Sequence, residues 1–272
     1  MIQPAQEKDP LVRLFALAVQ RHASDILLTA GSPPMVRVNG DLVPAAQGPL
    51  AAEDAKRWAY SVLHDTQIAS FEREKELDFS FTYQDKYRFR GNLYWQRGAV
   101  AASFRLIATK IPTLDELGLP HVLKELALKP QGLVIITGPT GHGKSTPQAA
   151  MIDLINGSRK AHIVTIEDPI EFLHANRMSV IDQREVGDDT LSFASALKHV
   201  LRQNPDVILV GEMRDTETMS TALTAAETGH LVLSTLHTND AVQAIDRIVD
   251  SFPAHQQGQV RTQLAFCLLA IV

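Results

Sequence analysis

Four short, almost wholly apolar runs constrain this chain more than any other feature: Gly132–Thr137, His162–Ile166, Val207–Val210 and Leu231–Thr235. Between and after them, Lys144–Asn156, Leu191–Gln203, Thr216–Thr228 and Ala241–Asp250 space their apolar residues as helices do. Strands that are apolar on both sides must be covered on both sides. This part of the chain is therefore expected to form an α/β fold with a mostly parallel sheet between layers of helix.

The preceding region follows another rule. Leu11, Leu14, Phe15, Leu17 and Ala18 share one helical face within Leu11–His22, and Ser24–Thr29 reads as a strand ending at the turn cluster Gly31-Ser32-Pro33-Pro34. Met35–Val38 and Leu42–Val43 flank Asn39-Gly40, a favoured hairpin turn, and Ala51–Leu63 is expected to be a helix. Leu77, Phe79, Phe81 and Tyr83 alternate with Asp78, Ser80 and Thr82. After a turn at Gln84-Asp85, Tyr87, Phe89, Gly91 and Leu93 alternate with Lys86, Arg88, Arg90 and Asn92, and a third strand spans about Ala99–Ile107. One sheet face is thus apolar. The other carries Arg88, Arg90 and Arg105, which suits either a solvated surface or an anion. Ile111-Pro112-Thr113 reads as the linker, which divides the chain into 1–112 and 113–272.

Composition narrows the function. A length of 272 residues allows one large domain or two modest ones. The single cysteine, Cys267, excludes a disulfide framework and a cysteine-ligated metal site within one chain. A net charge of −5 argues against a dedicated nucleic-acid binder. No apolar run approaches the ~18 residues needed to cross a bilayer, and Met1–Lys8 shows no signal-peptide pattern. No direct membrane insertion and a cytoplasmic location are expected. The chain stops inside the apolar run Ala265–Val272, as expected of a truncated chain.

Chemistry gathers at the ends of the four apolar runs. Gly138-Pro139-Thr140-Gly141-His142-Gly143-Lys144-Ser145 fits the phosphate-binding loop pattern G-x-x-x-x-G-K-[ST], between strand and helix as that motif requires. Its N–H groups and the following helix N-terminus would cradle phosphates, with Thr146 in the same cradle. Lys144 would reach the β- and γ-phosphates and Ser145 would ligate Mg²⁺. Pro147, in the first helical turn, could shift the start of that helix. Asp206–Val210 followed by Gly211-Glu212 resembles a Walker B strand, except that Gly211 stands where an aspartate is usual; Glu212 becomes the candidate for Mg²⁺ or its water shell. His162–Ile166 ends in Glu167, which could polarise an attacking water. His237, after Leu231–Thr235, could sense the γ-phosphate or pair with an acid.

This constellation resembles the Walker A, Asp box, Walker B and His box of secretion-type hexameric ATPases. The segments concerned are the phosphate loop, Ile163–Glu171, Asp206–Asp215 and Thr228–Thr238. With Ala23-Ser24-Asp25, Pro33-Pro34, Arg37–Gly40 and Arg88-Phe89-Arg90 included, the chain is similar to the type IV pilus retraction ATPases, the PilT/PilU group. The resemblance implies a PAS-like α+β N-terminal domain followed by a RecA-like P-loop ATPase core. It implies ATP/ADP and Mg²⁺, a homo-hexamer, and a motor powering pilus retraction and twitching motility at the cytoplasmic base of the pilus, peripheral to the inner membrane. The partners implied are an inner-membrane pilus platform protein and a paralogous retraction ATPase. It further implies that N-terminal arginines approach the γ-phosphate, with Arg90 and Arg105 as the matches and Arg88 and Arg97 as alternatives. Pro147, at a position usually Thr, and the spacing around Gln96-Arg97-Gly98 depart from the PilT pattern, and the group's C-terminal helical region is missing.

Two other readings stay open. Pilus-assembly or secretion ATPases of this family usually carry a four-cysteine zinc module and a longer N-terminal extension, which disfavours that alternative for a chain with one cysteine. An accessory nucleotide-binding subunit of low turnover would account for Pro147.

Overall fold

The computed structural model describes residues 10–84, 87–107 and 110–272. Met1–Lys8, Asp85 of the expected turn and Lys86 of the expected strand lie outside the described residues. The chain divides into two compact units, Met1–Thr109 and Lys110–Val272.

In the first unit, α1 (Pro10–Gln20) leads to β1 (Asp25–Leu28) and the hairpin β2 (Met35–Val38) and β3 (Asp41–Pro44). Then come α2 (Ala52–Tyr60), α3 (Asp65–Glu74), β4 (Glu76–Tyr83), β5 (Tyr87–Gln96) and β6 (Ala99–Leu106). The sheet order is β3-β2-β1-β6-β5-β4, and each neighbouring pair is antiparallel. This is the PAS-like α+β arrangement. Its core is aromatic: Phe15, fully buried on α1, has its ring 4.7–5.8 Å from those of Phe81, Tyr83, Phe89 and Phe104. The expected helix Ala51–Leu63 ends early, at Tyr60, because a second helix follows. His64 caps it reciprocally with Gln67, a signal in the sequence that apolar spacing does not register.

The second unit holds α4 (Val122–Ala127), β7 (Gly132–Thr137), α5 (Ser145–Ser158), β8 (His162–Glu167), β9 (Val180–Glu185), α6 (Phe193–Val200) and β10 (Val207–Val210). After these come α7 (Thr216–Glu227), β11 (Leu231–Leu236), α8 (Ala241–Asp250), α9 (Ala254–Cys267) and β12 (Leu268–Ile271). The strand order is β12-β7-β11-β10-β8-β9, parallel throughout, which is the RecA-like core. Alternate strand residues feed two separate cores. Leu133, Ile135, Ile208 and Val210 pack against α6–α9, whereas Val134, Ile136, Val207 and Leu209 pack against α4 and α5. Helix α6 is shorter than its apolar pattern suggests. The Ser192 hydroxyl accepts from Ser195 N–H and starts the helix, which leaves Leu191 outside it and 90% exposed.

Candidate active site at the strand ends

The strand order decides the site. β7, β11, β10 and β8 lie side by side and all run the same way, so their C-terminal ends bring the phosphate loop, His237, Glu212 and Glu167 to one edge of the sheet. Ligands of open α/β sheets bind at that edge.

The phosphate loop leaves β7 at Gly138. Gly141 and Gly143 adopt φ of 81° and 76°, a region that side chains rarely tolerate, and this lets the chain curl into the N-terminus of α5. The helix begins at Ser145, so Pro147 is its third residue. The N–H it lacks has no intrahelical partner at that position, and α5 continues unbroken to Ser158. The helix starts one residue after the expected Lys144. Lys144 Nζ donates to the carbonyls of Gly138 (2.7 Å) and Pro139 (2.9 Å), and lies 3.4 Å from His237 Nδ1. Partial desolvation lowers the Lys144 pKa, while Glu212 and Glu171 oppose that shift. Ser145 and Thr146 are half-buried in the first turn of α5, and the His142 Nδ1 contact is local, with Thr140 O at 3.2 Å.

His237 joins the loop to the β10 end. Its Nε2 lies 2.9 Å from Glu212 Oε2, and its Nδ1 lies 3.2 Å from Thr140 Oγ1. The network assigns the proton to Nε2, so Nδ1 can accept from Thr140 or Lys144. Glu212, 7% exposed, is flanked on its other oxygen by Arg214 Nη2 at 2.6 Å, a contact that apolar spacing and motif together did not single out. Thr137 Oγ1 meets Thr238 Oγ1 at 2.7 Å and fastens the loop strand to the His237 segment. At Gly211, where a Walker B acid is usual, a Cβ would lie 3.2 Å from Ile166 O and 3.4 Å from Glu167 Cα, close enough that these neighbours would have to shift by a few tenths of an ångström.

Glu167 lies one strand further along, and it bonds to Thr165 and Gln183 rather than to the loop. Its Oε1 accepts from Thr165 Oγ1 (2.7 Å) and Gln183 Nε2 (3.1 Å). Burial pushes its carboxyl up to about 7; the Thr165 and Gln183 hydrogen bonds pull the other way. Asp215 and Asp206, inside the same motif, have structural partners: Asp215 caps α7 through Thr218 N–H, and Asp206 accepts from His162 N–H.

The first unit, taken by itself, places Arg90 and Arg105 directly opposite each other on neighbouring strands, with Ser80 opposite Arg90 and Asp25 opposite Arg105. Both arginines are exposed, and Arg105 Nε donates to Asp25 Oδ1 at 2.8 Å. Asp25, 8% exposed, also faces Arg37 Nε at 3.5 Å. Arg88 is half-buried, bonded to Ser80 and Thr82. Arg97 leaves this row altogether. With Gly98 it forms the two-residue turn of the β5–β6 hairpin, about 20 Å along the strand from Arg90.

The model of the family described as type II/IV secretion system protein matches residues 86–271. The chain belongs to that family. Within the type II/IV secretion family it is 47% identical over 262 residues to the type IV pilus retraction ATPase PilT of Pseudomonas aeruginosa, covering 96% of this chain and 76% of the relative. It is also 47% identical over 260 residues to the type IV pilus ATPase PilU of the same organism, with 96% and 68% covered. The crystal structure of the pilus retraction motor PilT with bound ADP superposes with a TM-score of 0.91 at 50% identity, covering 96% of this chain and 76% of that one. Among the described residues of this family member, no helix is long and apolar enough to cross a membrane.

Proposed function

We infer that the chain is an ATP-hydrolysing motor of the kind that powers type IV pilus retraction. The observation that carries this reading is the continuous contact from the phosphate loop through His237 to Glu212 across adjacent strand ends. The likeness to the retraction ATPase PilT supports retraction over assembly or secretion. Nucleotide binding rests on the loop and on the ADP in the PilT structure.

In this reading Gly138, Thr140, Gly141, His142, Gly143, Lys144, Ser145 and Thr146 hold the phosphates. An incoming phosphate takes the Lys144 ammonium from the two loop carbonyls that now accept from it. Ser145 and Glu212 offer a hydroxyl and a carboxylate, hard oxygen donors of the kind Mg²⁺ takes while keeping waters. A bound Mg²⁺ would neutralise phosphate charge. Glu212 meanwhile remains bonded to His237, which ties its orientation to the loop. Glu167 is taken as the general base because it ends β8 on the same edge of the sheet as the phosphate loop and Glu212; burial, which raises its carboxyl toward neutral pH, suits that role. Arg90 and Arg105 meet negative charge that builds during transfer. A homo-hexameric ring, a pilus platform protein, a paralogous ATPase and a place at the cytoplasmic base of the pilus belong to the same proposal.

The test is phosphate release from the full chain with Mg²⁺ and ATP, beside the Lys144→Ala variant, with native mass measured on the same sample. Release that needs Mg²⁺ and disappears in Lys144→Ala is expected. Release no faster than the variant's would leave the accessory-subunit reading in its place.

A further inference from the structure

A carboxylate that acts as a base must be aimed, and Glu167 is the last residue of its strand, where a side chain has least support from its own backbone. We propose that Gln183 on β9, together with Thr165 on β8, is a positioning residue for Glu167 in ATP hydrolysis. The proposal rests on the reading of Glu167 as the base.

Register places the parts. Thr165 and Glu167 are two apart on a strand and so share a face. In the parallel pairing of β8 with β9, Thr165 lies opposite Gln183. Both side chains donate to the same carboxylate oxygen, Oε1.

Gln183 cannot turn its amide round without loss. Its Oε1 accepts from His174 N–H at 2.8 Å, and its Nε2 donates to Phe172 O at 2.8 Å as well as to Glu167. Flipped, the amide would set its oxygen against two acceptors and its NH₂ against a donor. The loop after Glu167 therefore fixes the direction of the Gln183 donors, and those donors fix Glu167. Glu185, two residues on from Gln183 and 5% exposed, anchors the same loop by accepting from Ile170 N–H at 2.9 Å. β9 contributes no residue to the phosphate loop or the Glu212–His237 contact. Its inward polar side chains instead hold the loop and the base together.

The hydrogen bonds also favour the charged carboxylate against a burial that disfavours it. Misplacing a reacting group by about 1 Å can cost ~10²-fold in rate, so the expected losses are large for residues that touch no phosphate.

The experiment compares Gln183→Met and Thr165→Val, which keep bulk and remove the donors, with Thr165→Ser, which keeps the hydroxyl. Each is made in the full chain, with kcat and KM for ATP, ADP affinity by calorimetry and Tm measured. Gln183→Met and Thr165→Val should each lower kcat by about 10- to 10²-fold while KM and ADP affinity stay within about twofold, and Thr165→Ser should recover most of the turnover. Placed on Glu167→Gln, Gln183→Met should cost almost nothing further, since the group it positions is already gone. Normal turnover in Gln183→Met, or losses that simply add to that of Glu167→Gln, overturns the proposal. If Gln183→Met does not fold, the Thr165 pair decides by the same criteria. Normal turnover in Glu167→Gln itself would instead remove the base assignment on which the proposal stands.

Discussion

In the antiparallel sheet, charged side chains stand on the sheet's face, in a row that runs Arg90, Arg105, Asp25 and Arg37 across neighbouring strands, with Ser80 at its end. In the parallel sheet they gather beyond the C-terminal ends of the strands, where Lys144, His237 and Glu212 meet. A residue on a sheet face has partners on both sides at fixed spacing, so its charge is matched sideways, as Asp25 matches Arg105. A residue at a strand end is held by whichever loop follows, and its partners come from other strands. The first arrangement can present an arginine on a stiff surface. The second can bring unlike groups onto one reacting centre.

Substitutions at the two kinds of site should differ in what they remove. If the arginine face meets the nucleotide, Arg90→Ala or Arg105→Ala should lower turnover by ~10³–10⁵ while ADP affinity stays nearly unchanged. Turnover measured on the intact assembly decides it, and normal rates in both variants would return the face to a solvated surface. At the strand ends, Glu212→Gln and Glu167→Gln keep shape but lose charge. Each should reduce kcat by ~10²–10⁴, with nucleotide affinity much less affected, as single-turnover and equilibrium-binding measurements would separate. Lys144→Ala removes turnover and acts on binding as well. Losing charge-assisted bonds to phosphate should weaken ATP affinity by ~10- to 10²-fold in calorimetry.

A smaller effect follows from pH. With Glu167 raised from the ordinary 4.5 to about 7 by burial, the base is lost as pH falls through about 7, and turnover should drop up to about tenfold per unit below it. Stability runs the opposite way. Folding favours the protonated carboxyl, so its contribution is full below about 4.5 and lost as pH rises through about 7. Glu167→Gln should accordingly be more heat-stable than the parent chain at pH 8, with little difference at pH 4, as melting curves at the two values would show. Least of all, Pro147→Thr should change stability by less than about 1 kcal/mol, because the proline occupies a first-turn position that needs no N–H. A large gain in turnover from that change would favour the accessory-subunit reading.

Local pattern carried much of this. The expected strands Gly132–Thr137 and Val207–Val210 and the helix Ala241–Asp250 match the observed elements residue for residue, because an unbroken apolar run and a 3.6-residue period are properties of the segment itself. β9 escaped notice for the same reason. Val180, Asp182 and Arg184 alternate with Ile181, Gln183 and Glu185, so its inward face is largely polar and gives no apolar signature. Gln183 had no visible chemistry in the sequence; only a partner strand at the right register makes its amide a donor to Glu167.

By itself the sequence determined what each strand end would carry: a loop for phosphates, an acid, an acid and a histidine. Those identities depend on residues within a few positions of one another. Tertiary structure alone decided which ends became neighbours. β7 and β8 follow each other along the chain, yet β11 and β10 lie between them, and that order puts His237 beside both Lys144 and Glu212 while leaving Glu167 to β9. It also decided that Arg105 would stand opposite Asp25 and that Arg97 would turn away into a hairpin. Strand adjacency and register are set by packing and hydrogen bonding between segments distant in sequence, and no local period records them.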